Sequence, residues 1–130
     1  MPRPPKSVRI PSYARTALDD VVQRTQRPIS LLIQDSIADL SRAYLNDPGV
    51  IARYVTPTAQ HDSGPMFRVS IVYTAASEQI LHALSQDSGI AVGAVSRAAW
   101  LRWLEVRGVE ALIRTYGAVR PPLAGEGMSA

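Results

Sequence analysis

With 130 residues, 46% of them hydrophobic, the chain is large enough for one core or for two small intertwined halves. It has no cysteine, so disulfides and thiolate metal sites are excluded, and no apolar run approaches the ~18 residues of a membrane span. The net charge is +3 and arginine supplies all but one of the 14 basic residues, a balance that permits an anionic partner without requiring one.

Residues 1–5 hold Pro2, Arg3, Pro4 and Pro5 and read as a flexible basic arm. No apolar stretch follows that would make the start a secretory signal, so a cytoplasmic location is the expectation. In residues 6–10, Val8 and Ile10 alternate with Ser7 and Arg9. A period of two is the signal of a strand. Pro11 ends it, because proline lacks the N–H that a ladder needs. Ser12 is placed to cap a helix. Over residues 13–26, Ala14, Ala17, Leu18, Val21 and Val22 fall on one helical stripe, with Asp19, Asp20, Gln23 and Arg24 mostly off it. Arg27, Pro28 and Ile29 break that helix. Ser30 is the next cap, and Leu32, Ile33, Ser36, Ile37, Leu40 and Tyr44 point inward from a second helix ending near Asn46. Asp47-Pro48-Gly49 is a turn, residues 50–55 add a helical turn, and residues 56–65, rich in Thr, Ser, Gly and Pro, are the one clear linker.

Residues 68–73 repeat the strand signal, with Val69, Ile71 and Tyr73 alternating with Arg68, Ser70 and Val72. Thr74 caps a helix carrying Ile80, Leu81 and Leu84 inward, and Gly89 ends it in a left-handed conformation. A long helix over residues 91–107 aligns Val95, Ala99, Trp103 and Val106, with Trp100 beside them. Gly108 interrupts, residues 109–116 form a short helix, and residues 119–130 read as a disordered tail. A lone short strand leaves its backbone groups unpaired and cannot persist. The two strands therefore pair with each other as a ribbon, and the fold is mostly helical around it.

Sliding the chain along itself until Val8 meets Ile71 superposes the pattern without a gap. At that one offset Ile10 meets Tyr73, Leu18 meets Leu81, Val21 meets Leu84, Leu32 meets Val95, Ile37 meets Trp100 and Leu40 meets Trp103. This points to an internal duplication of a strand–helix–helix unit. The organisation is then an arm (1–5), a first unit (6–46), a linker (47–66), a second unit (67–107), a short helix (108–118) and a tail (119–130).

The order of elements resembles the ribbon-helix-helix family, the Arc and MetJ type of repressor. Val8-Arg9-Ile10-Pro11 is similar to that family's strand ending, Ser88-Gly89-Ile90 to its turn between helices, and residues 95–104 to its second helix. Arg27-Pro28-Ile29 departs from it, standing where a glycine is more usual. The tandem copy resembles fused members among the conjugation accessory factors of plasmids. The resemblance implies that the two strands pair antiparallel, in an intramolecular pseudo-dimer that folds as a monomer, forms multimers on DNA, and places its ribbon in the major groove of double-stranded DNA. It also implies a role as transcriptional repressor or plasmid transfer or maintenance factor, with a relaxase or other plasmid protein as partner and no membrane.

Strand alternation turns Ser7, Arg9, Arg68, Ser70 and Val72 to the outer face. Arginine can bond guanine O6 and N7, serine can donate or accept, and valine can only meet a thymine methyl or pack. Arg9 and Arg68 are expected near opposite ends of the strands. The plainer role for the two arginines is to solubilise an exposed edge. Phosphates are expected at the second-helix N-termini, marked by Arg27 and Ser30 in one unit and by Gly89 and Ala91 in the other. Arg3 and Lys6 on the arm are within reach of adjacent phosphates.

His61 and His82 have no ligand spacing around them, and there is no glycine-rich phosphate loop and no serine–histidine–acid arrangement. No metal, cofactor or catalysis is expected. Trp100 and Trp103 read as core. Two rival readings remain. One is an antitoxin using Val109, Leu112, Ile113 and Tyr116 to anchor a toxin; the other is a protein-interaction module whose ribbon is incidental.

Overall fold

The computed structural model describes residues 4–55 and 66–118. Arg3, the linker over residues 56–65 with His61, and the tail over residues 119–130 lie outside the described residues. The elements run β1 (Lys6–Pro11), α1 (Ser12–Thr25), α2 (Ile29–Asn46), α3 (Val50–Val55), β2 (Met66–Ile71), α4 (Ala75–Ser88), α5 (Val92–Arg107) and α6 (Val109–Ala118). The fold is mostly helical, with one two-stranded antiparallel sheet, β1 against β2.

The helix pattern repeats at the spacing found in the sequence. The offset that carries Val8 onto Ile71 also carries both ends of α1 onto those of α4, and the start of α2 onto the start of α5. The C-caps of α1 and α4, Gln26 and Gly89, are both left-handed, at φ 60° and 76°. Gln26 therefore does the job of a helix-ending glycine, one residue before the Arg27-Pro28 break. The buried sets also correspond: Ala14, Leu18 and Val21 in α1 against Ser77, Leu81 and Leu84 in α4. In the second helices, Leu32, Ile33, Ser36, Ile37 and Leu40 correspond to Val95, Ser96, Ala99, Trp100 and Trp103.

The strand register has the same symmetry. Ser7 pairs with Ser70, its own equivalent in the second unit, while Lys6 pairs with Ile71 and Val8 with Val69. A residue meets its own equivalent only on a twofold axis. A second such meeting of equivalents lies deeper: Arg102 Nη1 donates to Asp39 Oδ2 at 2.5 Å. At both places a residue meets its equivalent at the offset found in the sequence, as it would on an approximate dyad.

Val8, Ile10, Val69, Ile71 and Tyr73 are buried against the helices. Trp100 lies fully buried near the centre, its Nε1 donating to the Ala14 carbonyl at 3.0 Å. Burying a large apolar side chain contributes about 1.5–3 kcal/mol, so this shared core is what holds the halves together. α6 folds back on it: Leu112 is fully buried, and Tyr116 stands edge-on to Trp103 at 5.9 Å between ring centroids.

Four local expectations need correction. Ser12 and Ser30 are not N-caps; Pro11 and Pro28 hold those positions in extended backbone, with no side-chain cap bond. Proline suits the place because the cap must be extended and needs no donor of its own. β2 covers Met66–Ile71 rather than residues 68–73. After Ile71 the backbone leaves the ladder, and α2 side chains take over its amides: Ser30 Oγ accepts from Val72 N at 3.1 Å and Gln34 Oε1 from Thr74 N at 2.6 Å. Val106, expected in the stripe of α5, is 55% exposed. Thr74, by contrast, caps α4 as expected, accepting from Ser77 N at 3.1 Å.

Candidate nucleic-acid interface

The outer face of the ribbon carries Ser7, Arg9, Arg68, Ser70 and Val72, all exposed. The register corrects one feature of this face. Arg9 and Arg68 do not lie near opposite ends; they are direct cross-strand partners. Alternation sets the face of each residue but not which residues oppose each other, and that follows only from how the two strands slide together.

Further arginines back this pair. Arg15 Nη1, from α1, donates to the Arg68 carbonyl at 3.3 Å, and Arg97 Nη1, from α5, donates to the Arg9 carbonyl at 3.4 Å. Carbonyls bonded outward on both strands mark a non-hydrogen-bonded pair, in which opposed side chains stand closest. Among the described residues, neither the Arg9 nor the Arg68 guanidinium has a hydrogen-bond or ion-pair partner. Arg15 shares its charge with Asp19 at 3.2 Å. Arg97 is half-buried, and burial lowers its pKa. It stays protonated, and its Nε also holds the Val55 carbonyl at 2.9 Å.

The opposite end of the ribbon differs in chemistry. Beyond the serine pair, the outer face presents Val72, which is 45% exposed. Lys6 lies 3.9 Å from Glu78. Glu78 is the equivalent of Arg15 in the second unit, so the sign of that flanking charge is reversed between the halves.

The second-helix N-termini flank the ribbon, one at each end. Ser30, in the first turn of α2, holds the backbone beside Val72, and Arg97, in the second turn of α5, holds the backbone beside Arg9. Ala91 is the N-cap of α5 and is exposed, as is Gly89. Free N–H groups at such ends favour an anion. Arg27 is directed elsewhere, its Nε donating to the Tyr116 carbonyl at 3.3 Å. Ser30 accepts the Val72 amide, so its hydroxyl braces the ribbon end. Arg3 lies outside the described residues.

Arg15 and Arg97 were not singled out from the sequence. The signal for Arg97 was its place as the equivalent of Gln34, since both side chains reach from a second helix to the strand end of the other half.

Among the described residues no group of three or more metal-ligating side chains is placed to hold an ion. His82 is exposed on α4. No described helix is long and apolar enough to cross a membrane. Comparison with protein-family models, curated proteins and solved structures gave no match.

Proposed function

We propose that this chain binds double-stranded DNA in a sequence-specific way, as two fused ribbon-helix-helix units that lay the outer face of their shared ribbon in the major groove. The observation that carries this reading is the directly opposed pair Arg9 and Arg68, exposed and without a counter-charge among the described residues. Like charges directly across a ribbon destabilise it. A polyanion relieves that repulsion, and a two-stranded ribbon has the width to enter the major groove. In this reading the two second-helix N-termini, which flank the ribbon, take the neighbouring phosphates. The protein is a binding protein rather than an enzyme in this reading, and works as a repressor or as a plasmid transfer or maintenance factor.

The antitoxin reading is weaker. It needs Val109, Leu112, Ile113 and Tyr116 free to hold a toxin, yet Leu112 and Tyr116 are buried in the chain's own core, with Val109 and Ile113 packed against it.

The test is methylation interference on duplexes recovered from a random pool. Methylation of guanine N7 in the major groove should block binding at a few positions. Loss of binding only on minor-groove modification, or no salt-dependent binding to any duplex, would reject the reading and favour a protein partner.

A further inference from the structure

The ribbon is chemically polar along its length. On one side of the dyad stand Arg9 and Arg68, backed by Arg15 and Arg97. On the other stand Val72 and a lysine already beside a carboxylate. We infer that the chain reads a DNA site with a built-in direction: a half with guanine at one or two adjacent base pairs, met by Arg9 and Arg68 together, and a half read through a thymine methyl, met by Val72. This rests on the DNA-binding reading and goes beyond it.

The geometry sets the spacing. The dyad passes between Ser7 and Ser70, and the arginine pair lies two residues along from it. At about 3.4 Å per strand residue, that is about 7 Å, or about two base-pair steps from the centre of the site. Both guanidiniums emerge at the same level of the ribbon, so they address neighbouring base pairs on one side. A pair related by the dyad would instead address two symmetric half-sites. Val72 has no donor or acceptor in its side chain, and apolar contact with the thymine methyl is the one base-specific interaction open to it in the major groove. The position of Arg9 in one half is occupied by Val72 in the other, so the protein prefers one orientation on its site.

Selection of the full chain against random duplexes, followed by titration on single-base variants, tests this. The recovered motif should be non-palindromic, with guanine enriched about two base pairs to one side of its centre. Replacing that guanine should weaken binding roughly ten- to hundredfold. Arg9→Ala and Arg68→Ala should relax the same or adjacent base pairs on that side only. Val72→Arg should bring guanine into the opposite half and make the motif more palindromic. A palindromic parent motif, or arginine variants that relax opposite halves, would overturn the directional site while leaving DNA binding in place. Salt-dependent binding with no sequence preference would also overturn it. No binding to any duplex would overturn the underlying reading as well.

Discussion

Two arginines set directly across a ribbon repel each other, and nothing among the described residues offsets them. Their removal should therefore leave the fold intact. Arg9→Ala is expected to be neutral or to raise stability by about 0.2–1 kcal/mol in a urea melt, even as it weakens DNA binding. A loss above about 1 kcal/mol would mean that the side chain is structural. Gln26 is a second residue under local cost, because its φ of 60° is a conformation that side chains other than glycine resist. Gln26→Gly should stabilise the protein by about 0.5–1 kcal/mol, reduced by the loss of the bond from Gln26 Nε2 to the Gln23 carbonyl. Denaturant melts of parent and variant would show a higher midpoint with an unchanged slope. Both effects bear on what could be read beforehand. The alternation of Val8 with Arg9 shows which way each side chain points. It does not show that Arg9 opposes Arg68, because register depends on contacts between strands that are far apart in the sequence.

At the level of elements, the shared offset made helices and their ends legible. Gly89 is an overt stop, and Gln26 could be found only as its equivalent in the first unit. The caps at Pro11 and Pro28 were masked by the serines near them, which are usually better cap residues. The role of α6 was not visible either, since an apolar stripe does not say what it packs on. Its anchor is Tyr116, whose hydroxyl donates to Asp35 Oδ2 at 2.5 Å while its ring meets Trp103. Burial first, and then the hydrogen bond to Asp35, raise the Tyr116 pKa above its ordinary value. A raised pKa in the folded state means that this contribution is fully present below about pH 10, the unfolded tyrosine value, and is lost as pH rises beyond it. Tyr73 is also raised, mainly by burial, so alkaline sensitivity is shared. Tyr116→Phe should cost about 1–2 kcal/mol at neutral pH through the lost bond, yet lose stability less steeply than the parent between about pH 9 and 11. Parallel slopes for the two proteins would show that this hydroxyl titrates alike in the folded and unfolded chain, so that its pKa is not raised.

In the proposed pairing of two units the whole molecule is organised about a dyad, and that axis carries a mark of asymmetry. Asp39 and Arg102 are equivalent positions that touch each other. Two identical first units would bring Asp39 against Asp39, and two identical second units would bring Arg102 against Arg102. Opposite charges on the axis therefore favour pairing of unlike halves, which the single chain supplies at high effective concentration. Arg102→Asp should destabilise by about 1–3 kcal/mol, between the values for exposed and buried pairs. The exchanged double variant Asp39→Arg with Arg102→Asp should recover part of that loss, reduced because Arg42 also holds Asp39. Sedimentation of the parent should give a folded monomer over a wide dilution range. Loss of helical signal on dilution would contradict an intramolecular pair.

The most direct measurement of whether the ribbon reads DNA is a titration of parent and Arg9→Ala/Arg68→Ala double variant on a selected duplex and on a random duplex, at two salt concentrations. Non-specific binding depends mainly on phosphates, whereas bidentate guanine contacts add discrimination of about 1–3 kcal/mol each. The expected result is that the double variant loses most of the preference for the selected duplex, at least tenfold, with a much smaller change on random DNA. If the ratio of selected to random affinity is unchanged, the ribbon is not the reader, and a protein partner for the paired helices becomes the better account.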